Sequence, residues 1–181
     1  RAKQLEYTFL RTLMGQYRDF WTVTGEALAF AVAHFALEIT AEQRQRLMEV
    51  WLLPTPYPEV AAALPRLKAT YLLAVLSNGT PEMLRSGLER SELWPNFKSV
   101  LSADLVKRYK PSSEVYQLAL QQTGLPTDEI LFVSSNSWDV LGAKNFGFKA
   151  CWVNRTGATL DTLGVRPDLV VTNFDELVEA L

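Results

Sequence analysis

Apolar positions along the first fifty residues recur at helical spacing. Leu5, Phe9, Leu13 and Tyr17 fall at every fourth position, one stripe of a helical period. The stripe is already running at the first residue, with no capping residue ahead of it, so the chain reads as starting within a helix. A second, Ala-rich helix is expected from about Thr24 to Leu37, with Leu28, Val32 and Phe35 on one face. A third opens at Thr40, where Gln43 completes a capping box, and ends near Leu53. The run Pro54-Thr55-Pro56-Tyr57-Pro58 then puts three prolines into five residues. Prolines fix φ and remove backbone donors, so this is a stiff connector and the best boundary in the chain. It divides a helical subdomain, residues 1–57, from the remainder, residues 58–181.

Past the connector the pattern changes to short apolar runs alternating with helical stretches. Tyr71–Leu76, Ser99–Leu101, Ile130–Val133, Ala150–Val153 and Leu169–Val171 read as strands. Between and after them Pro81–Arg90, Ser113–Gln122, Trp138–Asn145 and Phe174–Leu181 read as helices. Thr80-Pro81 is an N-cap followed by proline at the first helical position, Gly124 is placed to end its helix, and Asn173 with Glu176 forms a further capping arrangement. Pro65 falls inside a helix expected from Pro58, and should kink it or postpone its start. Strand–helix alternation of this kind argues an α/β fold around a parallel sheet with helices on both faces.

Composition narrows the function classes. The 181 residues are 48% hydrophobic and 21% charged, enough apolar material to fill a core. Eighteen basic against twenty acidic side chains leave a net charge of −2, with no basic excess to hold a phosphate backbone, so nucleic acid is not an expected partner. One cysteine, Cys151, rules out an internal disulfide and fits a reducing compartment; one histidine, His34, excludes a site built on two imidazoles. No apolar run reaches the ~18 residues of a membrane span, so no membrane partner is expected.

In an open parallel sheet the site forms beyond the carboxyl ends of the strands. Those ends carry Ser77-Asn78-Gly79-Thr80, Arg108-Tyr109-Lys110-Pro111 and Ser134-Ser135-Asn136-Ser137-Trp138-Asp139. Each has an ordinary reading. Ser77 and Asn78 suit a turn and cap, Lys110 a solvated surface, Asp139 a favourable place near a helix N-terminus, and Trp138 a core. The helix starts that follow these strands also offer free N–H groups to an anion. Coincidence of three such clusters at one sheet edge outweighs any one of them.

Ser77-Asn78-Gly79, Lys110-Pro111 and the run from Phe132 to Asp139 resemble the later motifs of the haloacid dehalogenase superfamily. The opening Gln4-Leu5-Glu6-Tyr7-Thr8 and the late Cys151-Trp152-Val153-Asn154-Arg155 are similar to the branch of L-2-haloacid dehalogenases. The resemblance implies a Rossmann-like core, residues 58–181, with a helical cap, residues 1–57. It also implies metal-independent hydrolysis of short (S)-2-haloalkanoic acids to 2-hydroxy acids through an aspartyl ester, with no cofactor. Phosphatases of the superfamily resemble Gly-Asp-x-x-x-Asp at the third motif, where two carboxylates hold Mg²⁺. Here a serine or asparagine takes the place of the first acid, which weakens a metal site.

The roles that follow are those the resemblance implies. Arg1 faces the departing halide, a soft anion suited to a weakly hydrated guanidinium. Asn78 donates to that halide and Trp138 walls its pocket, while Leu5 and Phe20 cover the alkyl group. Without the resemblance, Arg1 is a frayed terminus, Leu5 and Phe20 are ordinary helix-bundle core, and Tyr116 is packing beside Val115 and Leu118. Ser77 holds the substrate carboxylate. Lys110 keeps the nucleophilic carboxylate ionised by opposite charge, with Tyr116 hydrogen-bonding nearby. Ser134, Asn136 and Asp139 orient the nucleophile and the hydrolytic water, Asp139 also pairing with Lys110. The nucleophile itself lies in a Phe-Asp-x-Tyr-Gly-Thr stretch that these residues do not contain; Asp104 has the wrong context. The expectation is therefore a chain lacking its N-terminal central strand, inert and poorly folded unless that strand is supplied. A homodimer through apolar helix faces of the cap and a cytoplasmic location are further implications. Two other readings compete: a Mg²⁺-dependent phosphatase of the same fold, and a non-catalytic interaction module.

Overall fold

The computed structural model describes all 181 residues as eight α-helices, five β-strands and four short 3₁₀ turns. Two compact units result, each assembled from two separated stretches: Arg1–Thr55 with Ala74–Tyr109, and Pro56–Leu73 with Lys110–Leu181.

The first unit holds helices α1 (Ala2–Leu13), α2 (Phe20–His34), α3 (Ala41–Glu49) and α5 (Pro81–Arg90), with strands β1 (Ala74–Ser77) and β2 (Ser99–Ser102) paired in parallel. Helix α2 begins at Phe20 rather than near Thr24, because the Asp19 carboxylate caps it by accepting from the Thr22 N–H at 2.9 Å. The expected stripe on α1 is also corrected. The residues buried on α1 are Gln4 and Thr8, whereas Leu13 is 83% exposed and Tyr17 lies beyond the helix end. Gln4 Nε2 donates to Thr24 Oγ1 at 2.6 Å, so the α1–α2 seam is partly polar. On α2 the buried face is Phe20, Val23, Thr24 and Ala27, and the expected Phe35 is exposed. The capping box at Thr40 and Gln43 forms in full.

The second unit holds α4 (Val60–Thr70), α6 (Ser113–Thr123), α7 (Ser137–Phe146) and α8 (Phe174–Ala180) with strands β3 (Leu131–Ser134), β4 (Lys149–Val153) and β5 (Leu169–Val171), all parallel in the order β3-β4-β5. Pro65 does not postpone α4, which runs through it. The first strand after the connector starts at Ala74 rather than Tyr71, because α4 continues to Thr70 and Tyr71 serves as its extended C-cap. Gly124 ends α6 in the left-handed conformation, φ 71°. Cys151, Val153 and Val171 pack with Leu67 of α4 and Leu177 of α8 into a buried cluster. Arg155, just past β4, pairs with Glu59 at 2.6 Å and stacks on Tyr57 at 3.7 Å from the ring centre, tying the proline connector to the β4 loop.

Strand neighbours explain burial. β4, flanked on both sides, is buried along four of its five positions. β1 and β3, each with one partner strand, are only partly covered. The α/β architecture with parallel strands and crossover helices is the one the strand–helix alternation predicts.

Candidate active site

The third motif organises the second unit. Strand β3 ends at Ser134, a short turn follows, and α7 starts at Ser137, so Asp139 falls in the first turn of the helix, only 2% exposed. Its carboxylate is a hub. Lys110 Nζ donates to Oδ2 at 2.7 Å, Ser134 Oγ donates to the same oxygen at 3.1 Å, and the Tyr116 hydroxyl donates to Oδ1 at 2.9 Å. The Lys110 ammonium, 7% exposed, also lies 5.0 Å from the centre of the Phe132 ring, a favourable cation–π placement. Four of the residues chosen from sequence are thus gathered in one buried network. Tyr116 bonds Asp139 itself. Burial first, and then the neighbouring Asp139 charge, push its phenol well above the usual range, so it stays a hydrogen-bond donor. Two of its ring neighbours, Phe132 and Phe148, meet it edge-on.

Asn136 and Trp138 sit on the same turn. Asn136 is the residue ahead of α7, its backbone N–H donates to Ser134 Oγ at 3.2 Å, and its side chain does not cap the helix. Trp138, in the first turn of α7, is half-buried rather than core.

The first unit holds the remaining chosen residues. β1 delivers Ser77 and Asn78; Ser77 Oγ accepts from the Gly79 N–H at 3.1 Å, and Asn78 is 9% exposed. Gly79 is pinned in turn, its carbonyl accepting from Ser102 Oγ at 2.6 Å. Thr80 caps α5, accepting from the Met83 N–H at 3.2 Å. The Arg1 guanidinium lies 5.9 Å from the centre of the Trp51 ring, and Phe20, 8% exposed, meets the same ring edge-on at 6.3 Å. Leu5 is half-buried on α1. A cavity of about 540 Å³ in this unit has Asp19, Glu82 and Asp104 in its wall beside Trp21 and Thr80. It contains none of the chosen residues, and its three carboxylates disfavour an anionic occupant. Asp104 is engaged there: it accepts from the Tyr17 hydroxyl at 2.8 Å and pairs with Lys107 at 2.9 Å.

The side chains present fit a divalent metal poorly. The Asp139 oxygens already accept from an ammonium, a hydroxyl and a phenol, and the Lys110 charge 2.7 Å from one of them would repel a cation on the same carboxylate. Ser134 offers a neutral oxygen where a second carboxylate would be needed. No three His, Cys, Asp or Glu side chains gather elsewhere in a metal-holding group. Cys151 is buried, and burial pushes its thiol up to about 11, so it is not a nucleophile at neutral pH.

A profile of haloacid dehalogenase-like hydrolases matches residues 3–147. The chain belongs to this family. Among these haloacid dehalogenase-like hydrolases, the (S)-2-haloacid dehalogenase of Pseudomonas sp. strain YL is 44% identical over 180 residues, covering 99% of this chain and 78% of that protein. A crystal structure of a dehalogenase matches at a TM-score of 0.97 and 42% identity over 100% of this chain and 80% of its own. The L-2-haloacid dehalogenase of Xanthobacter autotrophicus, solved with chloropropionic acid covalently bound, matches at 0.92 and 37% over 99% and 82%. Membership in this hydrolase family bears out the resemblance stated from the motifs.

Proposed function

We propose that this hydrolase acts on the carbon–halogen bond of (S)-2-haloalkanoic acids. The observation that carries the reading is the buried Asp139 hub. Its oxygens accept from Lys110, Ser134 and Tyr116, an arrangement that suits a metal-free displacement at carbon, while the ammonium already on this carboxylate opposes the Mg²⁺ of a phosphatase. In this reading a carboxylate from outside residues 1–181 attacks C2 from behind and the carbon–halogen bond breaks. Halide leaves with the bonding pair toward Arg1 and Asn78, and water then cleaves the ester to a 2-hydroxy acid of inverted configuration. Lys110 favours the ionised nucleophile by its charge. Asp139, held by Tyr116 and Ser134, keeps that ammonium in place and, with Asn136, orients the hydrolytic water. Ser77 holds the substrate carboxylate. Leu5, Phe20 and Trp138 present apolar surface to the alkyl group and halogen, which lowers the solvation that would blunt a carboxylate nucleophile.

Residues 1–57 act as the cap and 58–181 as the core in this reading. A homodimer uses the apolar faces of α1 and α2, with Leu13 on α1 83% exposed and Phe35, just past the end of α2, 67% exposed. A cytoplasmic setting suits the single, unpaired Cys151; no helix is long and apolar enough to cross a membrane.

The test is halide release from (S)-2-chloropropionate. It is measured for residues 1–181 alone and for the same chain joined to the part of the Pseudomonas relative that the match leaves uncovered. Release by the joined protein without added metal is expected. Mg²⁺-dependent hydrolysis of phosphate esters with no halide release would overturn the reading in favour of a phosphatase.

A further inference from the structure

Helix α7 carries Gly142 three residues past Asp139, a residue type that weakens a helix interior unless packing demands it. Packing demands it here. A Cβ added to Gly142 would lie 2.6 Å from the Tyr116 hydroxyl oxygen, 3.4 Å from Tyr116 Cζ and 2.6 Å from Pro111 Cβ. Non-bonded heavy atoms settle at about 3.5–4.0 Å, so either the helix or these neighbours would have to shift. Tyr116 has little freedom to give way. It is fully buried, and the rings of Phe132, Phe146 and Phe148 stand 5.6, 5.7 and 6.1 Å from its own. Its hydroxyl is held between the Asp139 carboxylate at 2.9 Å and the Asp139 carbonyl at 3.2 Å. Pro111 is bonded directly to Lys110. The two groups that a methyl on α7 would displace are therefore the phenol that holds one oxygen of Asp139 and the residue next to the lysine that holds the other.

We propose that Gly142 is a positioning residue for the Lys110–Asp139 pair: its bare α-carbon makes the space in which Tyr116 reaches Asp139. The inference deepens the dehalogenase reading, and only its kinetic arm rests on that reading.

The experiment places 3-fluorotyrosine throughout the intact protein and assigns the Tyr116 fluorine resonance by its loss in Tyr116→Phe. Gly142→Ala is expected to move that resonance and leave those of the other tyrosines in place. In the halide-release assay Gly142→Ala is expected to lower kcat by about tenfold or more, as small misplacements of reacting groups do, with KM changed far less. Added to Tyr116→Phe, Gly142→Ala should cost clearly less than it does in the wild type, because the hydroxyl it displaces is already gone and only the Pro111 contact remains. An unmoved resonance, a loss that falls on KM, or a loss that adds in full to that of Tyr116→Phe would overturn the assignment. If Gly142→Ala does not fold, Gly142→Ala/Tyr116→Phe/Pro111→Gly, which removes both atoms that lie 2.6 Å from the added methyl, should restore folding; failure to restore it counts against the assignment. A protein that releases no halide at all defeats the dehalogenase reading, while the fluorine arm still decides the role of Gly142.

Discussion

Replacing Asp139 by asparagine keeps the volume of the hub and deletes its charge. The Lys110 ammonium, 7% exposed, then loses the carboxylate oxygen at 2.7 Å. An amide donor put in place of that oxygen would oppose Lys110 Nζ, which can only donate. Breaking a buried ion pair by removing one partner costs about 3–5 kcal/mol. The Phe132 ring, 5.0 Å from the ammonium, returns about 0.5–2 kcal/mol of that, and asparagine can still accept from Tyr116. The net expectation is a loss of about 3 kcal/mol, or about 6–12 °C in Tm for a chain of 181 residues. Removing both charges, as in Lys110→Met/Asp139→Leu, leaves no ion to desolvate and should cost clearly less than Asp139→Asn alone. Urea denaturation followed by circular dichroism at pH 7 measures the wild type, Asp139→Asn, the double variant and its two component single variants. A loss under about 1 kcal/mol for Asp139→Asn, or a double variant as unstable as the sum of Lys110→Met and Asp139→Leu, would refute the view of the pair as a buried, mutually dependent unit.

Further outcomes follow from other contacts. The Lys107 ammonium first, and then the Tyr17 hydroxyl, hold the Asp104 carboxyl below its ordinary value of 3.8. Its folded value thus lies below its unfolded one, and the stabilisation is present above pH 4 and lost as pH falls through the folded value. Asp104→Asn should be less stable than wild type at pH 6 and converge with it in acid-unfolding curves as pH falls through the folded value. Arg155→Lys keeps the charge beside Glu59 but loses the planar stack on Tyr57, and should lower stability by about 1 kcal/mol in thermal melts. Asn78→Ala removes a donor proposed to meet the departing halide and should reduce kcat for halide release by about 10²; an unchanged kcat would remove Asn78 from that role.

Much of this architecture was legible because local signals and tertiary demands agree. The strand at Leu169–Val171 and the helix at Pro81–Arg90 are bounded by turn and cap residues that the fold uses in the same places. The misreadings have physical causes. The α1 stripe led toward Leu5, Phe9 and Leu13, but the seam with α2 buries a Gln4–Thr24 hydrogen bond, which no hydrophobic pattern reports. The start of α2 was written in Asp19, whose capping role is plain only once the Thr22 N–H is seen against it. Within the candidate site, motif resemblance brought forward Lys110, Tyr116, Ser134 and Asp139, and the geometry gathers them. Gly142 escaped because a glycine in a helix registers in sequence only as a weak helix former, while its meaning lies in a phenol from a different helix.

The two units interleave along the chain, and this governs what cutting it can achieve. Cleavage at the proline connector yields 1–55 and 56–181, and neither piece is a whole unit: the first lacks the β1–β2 layer of its own unit, and the second carries that layer as a foreign insert. Neither unit is therefore excisable as a contiguous piece. Isolating one for study calls for a re-joined polypeptide, with 55 linked to 74 for one unit or 73 linked to 110 for the other.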